Sequence, residues 1–212
     1  MTGTTPLDYA RWRQTVLGSV TERLERAAVL DLAGPLAGRD VLEVGCGDGM
    51  YALAASRAGA RVAAVDRSAA AVRAARRHAA DADQLLLLQV ADARALPFRS
   101  DCFDVVLAVT VLCFVPAPQW AVTEMARALR PGGVLVLGEL GRWSLWGALR
   151  RLRAWAGSTT WRAARFFTPA ELRGLLRQSP GSFPDAGEER PTTHLTARQQ
   201  GCSSASTRSS AA

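Results

Sequence analysis

Apolar residues along the chain follow two different periods. From about Leu7 to Leu32, Val16, Val20, Leu24, Ala27 and Ala28 recur at helical spacing with Arg and Glu between them, which predicts an amphipathic helix. The pattern then shortens. "DVLEVG" (Asp40 to Gly45) is a brief apolar run ending in glycine, and "YALAASRAG" after it reads as a helix closed by Gly59. "ARVAAVD" (Ala60 to Asp66) predicts a second strand, and "SAAAVRAARRHAA" a helix with Ser68 as its N-cap. "QLLLLQV" (Gln84 to Val90) and "FDVVLAVTVL" (Phe103 to Leu112) predict strands three and four. "APQWAVTEMARALR" predicts a helix stopped by Pro131 and Gly132, and "GVLVLGEL" (Gly133 to Leu140) a fifth strand.

Strands alternating with helices form βαβ units, hence a parallel sheet with helices on both faces. Such strands are continuously apolar rather than alternating, and "LLLL" and "VVLAV" fit that expectation. After Leu140 the character changes. Leu145, Leu149, Leu152 and Trp155 mark one face of a helix, with arginines largely elsewhere. Thr168, Pro169 and Glu171 form the start signal of another. From Gln178 the chain is rich in Ser, Pro, Thr and Arg and almost free of large aliphatics, so it predicts disorder and no further strand. The expected organisation is a domain over residues 1–177, with a helical segment at 1–39, a core at 40–140 and a helical lid with a last helix at 141–177. Residues 178–212 form a tail.

Composition adds limits. With 212 residues, 49% of them hydrophobic and 21% charged, the chain is globular and long enough for a sizeable core. The net charge is +7, and every basic residue apart from two histidines is arginine; Lys, Asn and Ile are absent. Those three share AT-rich codons, so base composition accounts for the bias and no specific nucleic-acid partner is expected. Cys46, Cys102, Cys113 and Cys202 show no metal-ligand spacing, and three of them lie in or beside apolar runs, which suits a reducing cytoplasm. No metal site, signal peptide or transmembrane segment is expected.

The chemistry concentrates in "VLEVGCGDGMYAL". Gly45, Gly47 and Gly49 follow a strand and enter a helix, so backbone N–H groups converge on a turn that a ligand can approach closely. A dinucleotide loop, G-x-G-x-x-G, needs glycine at position 50, where Met50 stands. The pattern E-x-G-x-G-x-G, with Glu43 in the strand, suits a ligand with a cationic end. Here the chain resembles the class I S-adenosylmethionine-dependent methyltransferases, in particular the small-molecule, quinone-biosynthesis-like branch (methyltransferase type 11). The resemblance runs from about Val41 to Leu140 and includes "ADARALPF", "FD" and "EMARALRPGGVLVL" in order.

That resemblance implies a Rossmann-like doubly wound α/β fold and S-adenosylmethionine as cofactor. It places Glu43, Gly45, Cys46, Gly47 and Gly49 in the first cofactor motif. It gives Asp66, 21 residues after Gly45, to the ribose hydroxyls; a solvated loop Asp or an N-cap is the plainer reading. Asp92 and Ala93 fall where the family meets the adenine edge, against a turn cap for Asp92. Arg67 either covers the adenine face or is simply exposed, and Thr110 lies where the fourth strand reaches the transfer site. Tyr9 and Trp12 belong either to a helix folding over the cofactor or to the core. Trp143, Trp146, Trp155, Trp161, Phe166 and Phe167 form either an apolar lid over an apolar or aromatic small-molecule acceptor or a core-facing stripe. No catalytic residue is assigned; His78 reads as a surface residue and His194 as part of the tail.

The family sheet ends in a strand hairpin, which the tail does not predict. A missing hairpin would leave strand five with an open edge that invites pairing with another chain, as in a dimer. The function expected is methyl transfer to a small molecule. The alternatives are a cofactor-binding but catalytically impaired relative with an altered C-terminus, native or frame-shifted, and an NAD-dependent oxidoreductase.

Overall fold

The computed structural model describes residues 15–139 and 164–179, and the backbone of 188–190 and 194–198. Tyr9, Trp12, Trp143, Trp146, Trp155 and Trp161 lie outside the described residues, as does the side chain of His194.

Helix α1 spans Val16–Ala33, and Thr15 caps it by accepting from the Gly18 N–H at 3.1 Å. Strand β1 (Asp40–Val44) leads to α2 (Met50–Arg57), β2 (Arg61–Asp66) to α3 (Ala69–Asp81), and β3 (Leu86–Val90) directly to β4 (Phe103–Val109). A 3-10 turn at Leu112–Phe114 precedes α4 (Pro118–Ala128) and β5 (Leu129–Gly138). Helix α5 (Pro169–Arg177) and strands β6 (Glu188–Arg190) and β7 (His194–Arg198) complete the fold.

The sheet order is β3-β2-β1-β4-β5-β7-β6. The first five strands are parallel, and β7 runs antiparallel beside β5. Alternate residues of the central strands serve opposite layers. Val41, Val62, Ala64, Val105, Leu107 and Val136 pack on the face with Val29, Leu32, Ala52 and Val72 from α1 to α3. Leu42, Val44, Ala63, Val65, Val106 and Leu135 pack on the face with Val122, Met125 and Leu172 from α4 and α5. Both faces are therefore dry, which is why these strands tolerate no polar alternation.

The structure differs from the sequence expectations at four places. "LLLL" is not buried on both faces: Leu88 is buried, whereas Leu85 is 96% exposed and Leu87 54%. Strand β3 is the edge of the sheet, and apolar runs alone do not distinguish an edge from a centre. Helix α4 stops at Ala128, because Leu129 is already extended (ψ 136°) and pairs with Phe103; the residue before Pro131 also disfavours helix. Strand β4 ends at Val109, three residues before the expected Leu112, because Thr110 turns to φ 56°. Phe167 is fully buried in the core and Phe166 packs partly buried against it, which agrees with the core-facing alternative for these two rather than the lid.

The fourth difference is the C-terminal hairpin, which is present. Strand β7 pairs with β5 from Val134↔Arg198 to Gly138↔His194, and β6 pairs with β7. The expectation of a missing hairpin and of disorder throughout 178–212 fails at these residues. A strand added to an existing edge is held by main-chain hydrogen bonds, and "HLTAR" has too few apolar residues to announce it. The edge of β5 is thus occupied, which removes the open-edge argument for a dimer.

Candidate functional site

The chain doubles back at the carboxyl ends of β1, β2, β3 and β4, and a cavity of about 800 Å³ opens there. Strand order reverses between β1 and β4, the place where open α/β sheets form ligand crevices. Each strand contributes a turn to the cavity wall.

The turn after β1 supplies Gly45, with φ 73°. The N–H groups of Gly45 and Cys46 donate to the Val65 carbonyl at 2.7 and 2.9 Å, which locks the turn to β2. A Cβ at position 45 would overlap Cγ2 of Val111, so glycine is required by conformation and by contact together. At Gly47, with φ 53°, an added Cβ would meet no atom within 4 Å. That backbone faces open space. Gly49, with φ 85°, is the N-cap of α2, and a Cβ there would sit 3.0 Å from the Ala75 Cβ, a tight approach.

Glu43 and Cys46 do not line the cavity. Glu43 is 2% exposed, and its carboxylate accepts from the Ala52 N–H at 2.7 Å, bracing the first turn of α2 beneath the loop. Burial pushes its carboxyl up to about 8, with nearby Asp48 and Asp66 adding to the effect and the Ala52 bond opposing it. Cys46 is buried, and burial pushes its thiol up.

Asp66 lines the cavity at the end of β2. Its Oδ2 accepts from the Gly47 N–H at 2.9 Å and its Oδ1 from the Ser68 N–H at 2.8 Å. The carboxylate therefore ties the glycine turn to the start of α3, where Ser68 caps the helix by accepting from Ala71. Arg67 lines the cavity beside it.

After β3, Asp92 and Ala93 line the wall as expected, and Arg94 joins them. Arg94 grips Asp92 with Nε–Oδ1 at 3.0 Å and Nη2–Oδ2 at 2.7 Å, and its backbone N–H adds 2.9 Å to Oδ1. These bonds hold the Asp92 carboxyl down at about 2. The loop is pinned from behind by an ion pair on α4. Glu124 accepts from the Leu96 N–H at 2.9 Å, and Arg127 donates to the Phe98 carbonyl at 2.8 Å. Phe98 and Phe103 stack edge-to-face at 5.0 Å.

After β4 the wall turns apolar: Val111, Phe114, Val115 and Pro116 line it together with Thr110. Thr110 has φ 56°, a backbone conformation that costs a β-branched residue energy. Behind this turn sits Glu139, 4% exposed, accepting from the N–H groups of Val111 at 3.0 Å, Leu112 at 2.7 Å and Cys113 at 3.3 Å. Burial pushes its carboxyl up to about 7 against the opposing pull of those bonds.

Of the expected site residues, Gly45, Asp66, Arg67, Asp92, Ala93 and Thr110 therefore share one cavity. Gly47 is bonded to Asp66, while Glu43, Cys46 and Gly49 stand behind the loop. His78 is exposed, and its Nδ1 lies 3.0 Å from the Asp48 carbonyl, away from the cavity wall. Arg94, Val111, Phe114 and Glu139 were missed. For Glu139 the available signal was an acidic residue at the end of an apolar strand, whereas Glu43 was singled out by its place before the glycine loop. Among the described residues there is no cluster suited to a metal ion, and no helix is long and apolar enough to cross a membrane.

Residues 42–137 match the methyltransferase domain family. A ubiquinone biosynthesis O-methyltransferase of Thiobacillus denitrificans is 33% identical over 161 residues, covering 71% of this chain and 67% of that protein. The chain belongs to the class I S-adenosylmethionine-dependent methyltransferases. An uncharacterised protein of Mycobacterium tuberculosis is 37% identical over 172 residues, 81% of this chain but only 56% of the relative. This methyltransferase-family chain thus spans little more than half the length of that relative. A SAM-dependent methyltransferase structure from Thermotoga maritima, 22% identical, superposes with a TM-score of 0.69 over 92% of this chain and 96% of its own. At that identity the likeness speaks for the fold.

Proposed function

We propose that this chain binds S-adenosylmethionine in the cavity and transfers its methyl group to a small molecule with an apolar or aromatic body. The observation that carries the reading is the meeting of Gly47 and Asp66. A bare backbone with open space in front of it is bonded to a carboxylate on the cavity wall. A nucleoside fits that arrangement. A carboxylate has about four lone-pair directions, so Asp66 can accept from ribose hydroxyls while keeping its two backbone bonds. Asp92, held as an anion, accepts from an amino group on the adenine edge, and Arg67 lies beside the ring. The Ala93 backbone is within the same wall.

The cofactor supplies a methyl group already activated on sulfur. The chain's own work is orientation and exclusion of water. Thr110, Val111, Phe114, Val115 and Pro116 offer an apolar surface for the acceptor. Holding two reactants in line supplies on the order of 7–11 kcal/mol, so the reading needs no nucleophilic side chain. The buried, reduced Cys46 and Cys113 suit a reducing cytoplasm. Residues 1–177 would act as the transferase unit, with the hairpin of β6 and β7 added to it.

A cofactor-binding but catalytically impaired protein is the second reading, since the same cavity wall accounts for cofactor binding whether or not a methyl group is transferred. An NAD-dependent oxidoreductase is the third, and Met50 in place of the last glycine speaks against it. Titrating the protein with S-adenosylhomocysteine and with NAD, then incubating it with methyl-labelled S-adenosylmethionine and a cell extract, separates the three. Binding of the first compound with label transfer supports the proposal. Binding without transfer supports the second reading, and preference for NAD overturns both.

A further inference from the structure

The turn that closes the apolar end of the cavity is held by an element that never touches the cavity. Strand β4 ends at Val109, and the next residue, Thr110, adopts φ 56°. Left to itself, a threonine leaves that region. Immediately after it, three consecutive N–H groups, those of Val111, Leu112 and Cys113, point to one side and would be unsatisfied at the start of the 3-10 turn. All three donate to the carboxylate of Glu139, one residue past the end of β5. The Thr110 N–H also donates to the Gly138 carbonyl on the same neighbouring strand. Val111, thus fixed, occupies with its side chain the space that a Cβ at Gly45 would need. The turn after β4 and the glycine turn after β1 are therefore set relative to each other by a residue of β5's far end.

We propose that Glu139 is a positioning residue for the cofactor cavity, its buried carboxylate holding Thr110 in the left-handed conformation and Val111 against Gly45. The inference rests on the reading that this cavity takes S-adenosylmethionine. Glu139 acts by geometry, so its loss should be compensated wherever the same backbone conformation becomes free of cost. Glycine adopts that region without penalty. Replacing Thr110 by glycine should then make Glu139 largely dispensable.

The test is calorimetric titration of the full chain with S-adenosylhomocysteine in four forms: the parent, Glu139→Gln, Thr110→Gly and the double variant. The glutamine keeps the size of the side chain but sets an amide or a neutral oxygen against donors that now meet a carboxylate. At a pH above about 8, where the Glu139 carboxyl is ionised, losing one charge-assisted bond to the turn corresponds to about tenfold weaker binding in Glu139→Gln. In the Thr110→Gly background the same change should cost less than about threefold, because the turn no longer needs holding. Unchanged affinity in Glu139→Gln overturns the proposal. So does an equal loss in both backgrounds, which is what a merely structural carboxylate produces. If Glu139→Gln does not fold, amide exchange in the parent decides. The Val111, Leu112 and Cys113 amides should gain protection when S-adenosylhomocysteine binds, and no gain overturns it. Failure of the parent to bind at all condemns the cofactor reading instead, so the two failures are distinguishable.

Discussion

Gly45→Ala isolates the contact between the glycine turn and the apolar wall. The parent backbone has φ 73° at this residue, and an added Cβ would overlap the Val111 side chain. Two costs combine. An L-residue forced into the left-handed region loses about 1–2 kcal/mol. Overpacking a tight contact costs about 1–3 kcal/mol more. Together these destabilise the fold by about 2–5 kcal/mol, a large fraction of the 5–15 kcal/mol typical of a domain. Urea unfolding followed by circular dichroism measures this as a lower midpoint at unchanged slope. Adding Val111→Ala to Gly45→Ala should recover the overpacking part and leave the conformational part. Gly47→Ala is the control: an added Cβ meets no atom within 4 Å, so only the conformational cost applies, while on the proposed reading the methyl takes up open space beside Asp66 that the nucleoside needs. It should lose only the conformational part, about 1–2 kcal/mol, and fail to bind S-adenosylhomocysteine. A Gly45→Ala protein within about 0.5 kcal/mol of the parent would refute the packing argument. A Gly47→Ala protein with parent affinity would refute the cradle.

Asp66→Ala should weaken S-adenosylhomocysteine binding at least about tenfold, since bonds to a charged acceptor are worth about 1.5–3 kcal/mol each; calorimetry showing parent affinity would remove the ribose assignment. Stability should fall as pH rises from about 5 to 8. Glu43 and Glu139 have carboxyls raised by burial to about 8 and about 7, so the folded chain binds more protons than the unfolded chain in that window. Glu43→Gln should flatten part of that slope in urea midpoints taken across the range, and a slope equal to the parent's would contradict the burial argument. Thr168→Ala removes a capping box in which Thr168 and Glu171 bond each other's backbones. It should cost about 1 kcal/mol by thermal melt, because α5 carries the fully buried Leu172 and Leu176.

The parts of this molecule that sequence reveals are those in which side-chain pattern and backbone demand coincide. Central strands β1, β2 and β4 are buried on both faces, so their apolar runs marked β1 and β2 within one residue and β4 within three. Ser68 and Thr168 were legible as caps because a cap is a local bond between a residue and the chain three positions on. Gly45, Gly47 and Gly49 were legible because positive φ favours one residue type. What stayed hidden depends on neighbours distant in sequence. Leu85 and Leu87 look like core until the order of strands puts β3 at the edge. Strands β6 and β7 are recruited by the free edge of β5 rather than by their own composition. Glu43 reads as a ligand-facing acid, but it turns inward to the Ala52 N–H, 9 residues on. Glu139 is visible as an acid at the end of an apolar strand, but its bonds to a turn 26 to 28 residues upstream are not.

The central claim is that the cavity walled by Gly45, Asp66, Asp92 and Thr110 holds the adenosyl cofactor. A crystal grown with S-adenosylhomocysteine measures this directly. The account predicts ribose oxygens within hydrogen-bond distance of the Asp66 carboxylate, adenine beside Asp92, and the sulfur facing Thr110. Density for the compound elsewhere, or its absence at saturating concentration, would contradict it.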